Sequence, residues 1–418
     1  MVMRRAEVTI DSIAAGGDGV ARVEGLVVFV PRAAPGDRAL VEFTTGARFA
    51  RARLIGLPVP SSLRVQPPCA HYVRDQCGGC QLQHLGYDSQ RSAKSRIIAD
   101  SLARIGKRAV LAPDVRPSGR PFRYRRKLTL ALRRRASRWI AGLHPYDAPG
   151  EVFALDDCPI TEERVMAAWR EVLSAAETFP DVRELRGAVR LDDVGASFVL
   201  EGGERWPRSE ELFRRCPSLA ALWWIAEDGS RRLLHHRGDE QPPGASFTQV
   251  NASVAAELRQ YVLDRVMRHE PATVVDGYAG LGDTAMPLAE RGVRVTAIEL
   301  DRAAAAWCAA RLTSGSRAIA GRVEDELAAS LPADVVLLNP PRAGVDARVA
   351  ETLERAEPRP RAVLYVSCDP ATLSRDVRRM PGYEIVSLVA FDMFPQTAHV
   401  ETVCELAPRE AEARPEPA

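Results

Sequence analysis

From about residue 245 onward, short apolar runs alternate with helical stretches, and each run stops at a polar loop. Thr273-Val-Val275 leads into Asp276-Gly-Tyr-Ala-Gly280-Leu-Gly282-Asp-Thr284, and Val293 to Ile298 ends at Glu299. Asp334 to Leu338 runs into Asn339-Pro-Pro-Arg342, and Val363 to Val366 stops at Ser367-Cys368-Asp-Pro370. Short, wholly apolar runs read as strands buried on both faces, and their alternation with helices predicts an α/β fold with a largely parallel sheet. Open sheets of this kind hold ligands in the crevice at the carboxyl ends of their strands, which is where the polar loops fall. Helices are expected at Val254–Met267 and 285–291, and further strands at Ile385–Phe391 and Thr402–Leu406. Residues 408–418, rich in Glu, Arg and Pro, are expected to form a disordered tail.

A chain of 418 residues with 46% hydrophobic content has material for two or three cored domains. Residues 1–57 read as a small β-barrel, with strands at Val8–Ile10, Val20–Val23, Leu26–Val30 and Ala39–Phe43 separated by Gly- and Pro-containing turns. Phe29 and Phe49, with Arg32, Arg38, Arg48, Arg51 and Arg53, give it the aromatic and basic mix of an RNA-binding barrel. Pro58 to Pro68 reads as a linker opening a central domain, 58–240, of less regular pattern. That domain carries helices near Ser89–Ile105 and Thr161–Ala176 and a core strand Leu222-Trp-Trp-Ile225. The nucleotide-binding α/β domain then occupies 241–418.

No apolar stretch approaches the roughly 18 residues of a membrane span, and the N-terminus lacks a signal-peptide core. A cytoplasmic monomer without membrane association is therefore expected, in a compartment where clustered cysteines point to metal or catalysis rather than disulfides. The net charge of +2 hides a segregation: residues 1–140 hold 26 Lys+Arg against 10 Asp+Glu, and the remainder 31 against 45. Arg is favoured over Lys throughout, with lysine only at 94, 107 and 127, but a coding bias does not by itself segregate sign. A basic front on an acidic body fits a polyanion partner, RNA above all.

Three constellations carry chemistry. The first is the Gly-rich turn 276–282 with an acid, Glu299, at the end of the next strand. Glycines let the backbone approach a nucleotide-like ligand while the acid accepts ribose hydroxyls, and the spacing is not that of a dinucleotide site. The second is Cys69, Cys77-Gly-Gly-Cys80 and the distant Cys158-Pro159. Four thiolates can hold zinc or an iron–sulfur cluster, and the single tight pair favours the latter. The third is Cys368 at a strand tip with Glu401 on a strand entering the same crevice, a nucleophile and a base in outline. Most free cysteines are small buried hydrophobes and Glu401 could equally be a surface acid, so chemistry alone leaves this pair open.

The ordered series of motifs resembles the RNA uracil-5-methyltransferases, in their iron–sulfur branch with an N-terminal TRAM domain. The likeness runs through Cys77-Gly-Gly-Cys-Gln-Leu-Gln-His84, Phe-Thr-Gln-Val-Asn at 247–251, Asp276 to Gly282 and Asn339 to Gly344. It continues through Tyr365-Val-Ser-Cys-Asp-Pro-Ala-Thr-Leu373 and Phe394-Pro-Gln-Thr397. The resemblance implies a class I methyltransferase domain, S-adenosylmethionine as cofactor and a 23S rRNA substrate. It also implies Cys368 as nucleophile, Glu401 as general base and cofactor contacts at Gln249, Tyr278, Asp283, Glu299 and Asn339. It further implies a [4Fe-4S] cluster on Cys69, Cys77, Cys80 and Cys158. Departures from the family's commonest pattern fall at Ala279, Asp283, Asn339 and Ala398. The competing expectations are the same chemistry on tRNA or another rRNA uridine, and a catalytically inactive metal-cluster protein that binds RNA.

Overall fold

The computed structural model describes residues 3–44, 48–136, 138–191, 195–238, 249–313 and 315–409. The chain forms two compact units. One comprises Met1–Ala93, Ser118–Ser253 and Phe394–Ala398; the other comprises Lys94–Pro117, Val254–Met393 and His399–Ala418.

The first unit holds two sheets. In the N-terminal one, six strands run in an order that begins with Met3–Thr9 and ends with Ser12–Ile13. Thr9 and Ser12 are three residues apart, a reach of at most about 11 Å. Six strands laid flat would separate those edges by about 24 Å, so the sheet curls upon itself as the barrel expectation requires. Its interior is small and apolar: Ala21, Val28, Val30, Ala39 and Val41 are fully buried. Strand Phe49–Val59, which closes against both Arg38–Thr44 and Leu26–Val30, was not legible in the sequence.

The basic residues of this barrel are less available than their sequence suggests. Arg38, Arg51 and Arg53 pair with Glu7, Asp18 and Glu42. Arg32 turns inward, donating to the Tyr72 carbonyl, to Gln76 Oε1 at 3.0 Å and to the Cys77 carbonyl at 3.0 Å. Exposed ion pairs contribute little, so of these four arginines Arg32 is the one held inward by the fold.

The central region is more regular than expected. Seven strands form one sheet, from Phe153–Ala154 at one edge to Arg231–His236 at the other. In strand Lys127–Arg135, Leu128, Leu130 and Leu132 are buried and alternate with the part-exposed Thr129 and Ala131. The buried face is covered by helix Glu163–Ser174, whose Trp169 donates to the Leu128 carbonyl at 3.1 Å. Trp224 is buried and Trp223 only half-buried, as alternation on a strand requires.

The second unit is built on eight strands: β1 Val115–Arg116, β2 Thr273–Gly277, β3 Arg294–Glu299, β4 Arg317–Ala320, β5 Val335–Leu338, β6 Ala362–Ser367, β7 Tyr383–Phe391 and β8 Glu401–Pro408. They lie in the order β4-β3-β2-β5-β6-β8-β7-β1. Only β8 is antiparallel to its neighbours. Every residue of β5 and β6 is buried, which explains their uninterrupted apolar sequence. Residues 94–117, expected in the central domain, join this unit instead. They contribute β1 and a Lys94 ammonium 2.5 Å from Asp392, both side chains fully buried. The expected tail starts later than residue 408, since Pro408 closes β8; residues 410–418 lie outside the described residues. Among the described residues no helix is long and apolar enough to cross a membrane.

Candidate active site

Cys368 stands one residue beyond β6, and Asp369 then caps helix Pro370–Arg378. The Asp369 side chain accepts from Ala371 N at 2.8 Å and Thr372 N at 2.9 Å, and Pro370 occupies the first turn. Ser367 Oγ fixes the intervening turn by accepting from Asp369 N at 3.1 Å and donating to the Asp369 carbonyl at 3.0 Å. The thiol is thus set at a strand tip directly before a helix N-terminus. It is half-buried, whereas the other seven cysteines are buried.

The ladder between β6 and β8 ends with Ser367 opposite Thr402, so the next step outward brings Cys368 and Glu401 together at one edge. Glu401 is also paired with Phe391 of β7 and is 3% exposed. Burial pushes its carboxyl up to about 7, held back by the positive charge of Arg342. Burial likewise pushes the Cys368 thiol up to about 11; the Glu401 charge raises it further and Arg342 opposes. Arg342 belongs to the loop after β5 and is the one cation that favours the ionised form of both groups. A carboxyl poised near neutrality beside a half-buried thiol is an arrangement suited to proton transfer and nucleophilic addition.

The other strand ends on this edge form a ligand cradle. Tyr278 and Gly280 adopt positive φ of 65° and 57°, and Tyr278 N donates to the Ile298 carbonyl at 2.9 Å. Gly282, at φ 93°, passes so close to Cys308 that a Cβ would lie 2.6 Å from its sulfur. Asp276 is buried; its Oδ2 accepts from Thr284 Oγ1 at 2.5 Å while Oδ1 has no partner among the described residues. Burial pushes Asp276 up to about 7, and the nearby Asp283 and Glu299 charges add to that. Glu299 pins the cradle: its Oε2 accepts from Gly280 N and its Oε1 from Asp301 N, both at 2.8 Å. Each oxygen keeps a further lone pair for a hydroxyl.

Of the expected cofactor contacts, Tyr278, Asp283, Glu299 and Asn339 therefore share one sheet edge with Cys368 and Glu401. Asp283 is exposed, with Arg259 3.9 Å away, and Asn339 is exposed with its N–H donating to the Gly277 carbonyl at 3.2 Å. Gln249 belongs to the first unit; its buried Oε1 has no partner among the described residues. Phe247 and Thr248 of its motif lie outside the described residues. Arg342 and Asp276 acquire roles the sequence reading did not assign, although both lie in loops it singled out.

The four expected cluster cysteines are all buried in the first unit. Cys69 precedes helix Ala70–Arg74, and Cys77 accepts a hydrogen bond to its sulfur from Gly79 N at 3.4 Å. Gly78 is needed because a Cβ there would press within 3.2 Å of the His144 carbonyl and Tyr146 Cα. Burial pushes the Cys77 thiol up to about 11, and charges on Cys158 and Cys69 push it the same way. Cys80 is raised by burial and by Cys158, Cys77 and Cys69, and the Gln83 side chain opposes by hydrogen bonding. Among the described residues no group of three or more His, Cys, Asp or Glu is spaced to hold a metal ion directly.

Residues 1–55 match the TRAM domain family, and residues 311–408 match the tRNA (uracil-5-)-methyltransferase family. An uncharacterized RNA methyltransferase of Thermosynechococcus vestitus is 31% identical over 447 residues, covering 96% of this chain and 97% of its own. The chain belongs to the RNA (uracil-5-)-methyltransferases. A second uncharacterized RNA methyltransferase, from Halalkalibacterium halodurans, is 31% identical and matches 96% of both chains. Among solved structures, the tRNA (uracil-54, C5)-methyltransferase of Pyrococcus abyssi, crystallised with S-adenosyl-L-homocysteine, superposes with a TM-score of 0.72. It is 24% identical, over 96% of this chain and 99% of that one, and so shares the fold. In this methyltransferase the family match spans Cys368 and Glu401 but stops short of the Gly-rich cradle.

Proposed function

We propose that this RNA (uracil-5-)-methyltransferase uses S-adenosylmethionine to methylate carbon 5 of a uridine in 23S rRNA, through a transient bond between Cys368 and uracil carbon 6. The observation that carries this reading is the placement of a half-buried thiol beside a buried, near-neutral carboxyl at one strand edge. Uracil carbon 5 is a poor nucleophile until a group adds at carbon 6. The Cys368 thiolate forms that bond, and the displaced ring electrons make an enolate across carbons 4 and 5. S-adenosylmethionine, when bound, supplies an electrophilic methyl group on a sulfonium.

Once carbon 5 bears the methyl group it still holds a proton. The Glu401 carboxylate takes it, the ring electrons restore the 5,6 double bond, and the cysteine leaves as thiolate. Arg342 favours the thiolate in the first step and the carboxylate in the last. The base must leave its stack to reach a strand tip, which fits a basic front end that grips the surrounding RNA.

Asp276, Tyr278, Glu299 and Asn339 fit the donor: the cradle admits a ligand close to its backbone and Asp276 Oδ1 is a buried acceptor still to be used. Asp283 would add a further polar contact. A [4Fe-4S] cluster on Cys69, Cys77, Cys80 and Cys158 would rest on four buried cysteines of one unit, one of them served by the Gly79 N–H.

Mapping 5-methyluridine in RNA from a deletion strain tests the substrate: loss from one 23S rRNA position is expected. The whole-chain likeness of fold to a tRNA enzyme favours tRNA as the second reading. Intact 23S rRNA with tRNA lacking the modification would replace the rRNA proposal.

A further inference from the structure

Three buried charged groups stand outside the reacting set: the Lys94–Asp392 pair, the Glu405–Arg265–His269 cluster, and the carboxylate of Asp376. The first ties helix Tyr87–Arg104 to the end of β7 and the second ties helix Ala252–Met267 to β8; neither touches the loop after β5. Asp376 is different, because it binds the backbone of the loop that carries Asn339 and Arg342.

Asp376 lies on helix Pro370–Arg378, the helix that leaves Cys368, and is fully buried. Its Oδ2 accepts from Val345 N at 3.0 Å and from the Tyr365 hydroxyl at 2.8 Å. Its Oδ1 accepts from Arg375 Nε at 2.9 Å and from Arg379 Nη1 at 3.1 Å. Those arginines also reach the loop: Arg375 Nη2 donates to the Ala343 carbonyl at 2.7 Å and Arg379 Nη1 to the Val345 carbonyl at 3.4 Å. The loop closes on itself through Gly344 N to the Pro341 carbonyl at 2.8 Å. Gly344 has φ 77°, and a Cβ there would overlap Asp376 Oδ2 and lie 2.5 Å from Arg375 Nη2. Tyr278 of the cradle senses the Asp376 charge as well.

Burying a carboxylate with two arginines is a poor way to add stability, since apolar side chains of similar volume do as well or better. What such a network supplies is a fixed geometry, here between the thiol-bearing helix and the loop bearing Arg342. We propose that Asp376 is a positioning residue for methyl transfer: it holds the 339–345 loop so that Arg342 faces Cys368 and Glu401. This rests on the proposed roles of Cys368 and Arg342.

The test is a double-mutant cycle on the full-length protein with Asp376→Asn and Arg342→Ala. The readouts are methyl transfer into total RNA from a deletion strain and iodoacetamide labelling of the Cys368 peptide by mass spectrometry. Asp376→Asn is expected to slow transfer about 10- to 100-fold, as a misplacement near 1 Å does. It should also slow labelling of Cys368 at pH 8.5 by about threefold, because a thiol deprived of a nearby cation is less ionised. In the Arg342→Ala background the same substitution should add little to either effect. Gly344→Ala, which keeps every charge but pushes the loop away, should act in the same direction. Additive losses, or normal labelling and transfer in both Asp376→Asn and Gly344→Ala, would overturn the positioning role. An Arg342→Ala enzyme with normal transfer would instead refute the reading of the site on which it rests.

Discussion

Glu401 begins the strand that runs antiparallel to the one ending just before Cys368, and the Ser367–Thr402 pair immediately inside them fixes both at the same sheet edge. Two strands distant in sequence from the Gly-rich cradle thereby deliver a thiol and a carboxyl to the same end of the sheet as Tyr278 and Glu299. The groups bias each other: an ionised Glu401 disfavours the thiolate, and its tendency to stay neutral when buried relieves that repulsion.

Replacing Cys368 by serine should reduce methyl transfer by at least about 10³-fold, because a hydroxyl at that position lacks a base strong enough to make it an alkoxide. Transfer of labelled methyl groups into RNA measures this. Binding of S-adenosylmethionine, followed by calorimetry, should stay close to that of the unmodified enzyme, since Cys368 is not part of the cradle. A rate within tenfold of normal would remove the cysteine from the mechanism.

The raised carboxyl of Glu401 makes a stability prediction with a definite sign. Its folded value near 7 lies above the ordinary 4.5, so the folded state holds the proton more tightly than the unfolded chain. The resulting stabilisation is complete below about pH 4.5 and is lost as pH rises through about 7. Glu401→Gln cannot ionise, and so should be more stable than the native protein at pH 8 to 9, by on the order of 3 kcal/mol at 1.36 kcal/mol per unit. The two proteins should converge near pH 4.5. Urea unfolding at several pH values checks this, and a difference independent of pH would show that the carboxyl is not perturbed. Catalysis should move oppositely, rising through about pH 7 as the base ionises.

Protein purified without oxygen should be brown and contain iron and inorganic sulfide. Cys80→Ala should lose the colour and the metal together. Because the four cysteines are buried, metal loss should also lower thermal stability. Zinc in place of iron, by elemental analysis, would contradict the cluster.

Much of this site was legible because strand ends punctuate a sequence. Wholly buried β5 and β6 are apolar without interruption, so the loops at Asn339 and Cys368 stood out as places where burial stops. The Gly-rich turn was visible for a similar reason, as glycines appear where the backbone needs positive φ or close approach. Arg342 was seen but given no role, since only the fold brings the loop after β5 beside the tip of β6. Asp376 was invisible: a buried acid on a helix rich in arginine looks like any solvated helix until Gly344 and Val345 are packed against it. Of the central sheet, the alternating strand running to Leu132 and the strand at Leu222–Ile225 were legible; Glu184–Leu191 was not, because its buried residues are interleaved with Glu and Arg. Residues 94–117 join the second unit through Ile98, Leu102 and Val115 packed with Ala390 and Val400, a buried ion pair and a two-residue strand, contacts that only the fold reveals.

The most direct test of the covalent step uses RNA in which uridines are replaced by 5-fluorouridine, because carbon 5 then carries fluorine and offers Glu401 no proton to remove. Incubation of the unmodified enzyme with such RNA and S-adenosylmethionine should trap a complex that survives denaturation. Mass spectrometry should find the methylated fluorouridine on the peptide containing Cys368. An adduct on any other residue, or methylated RNA released with no adduct, would contradict it.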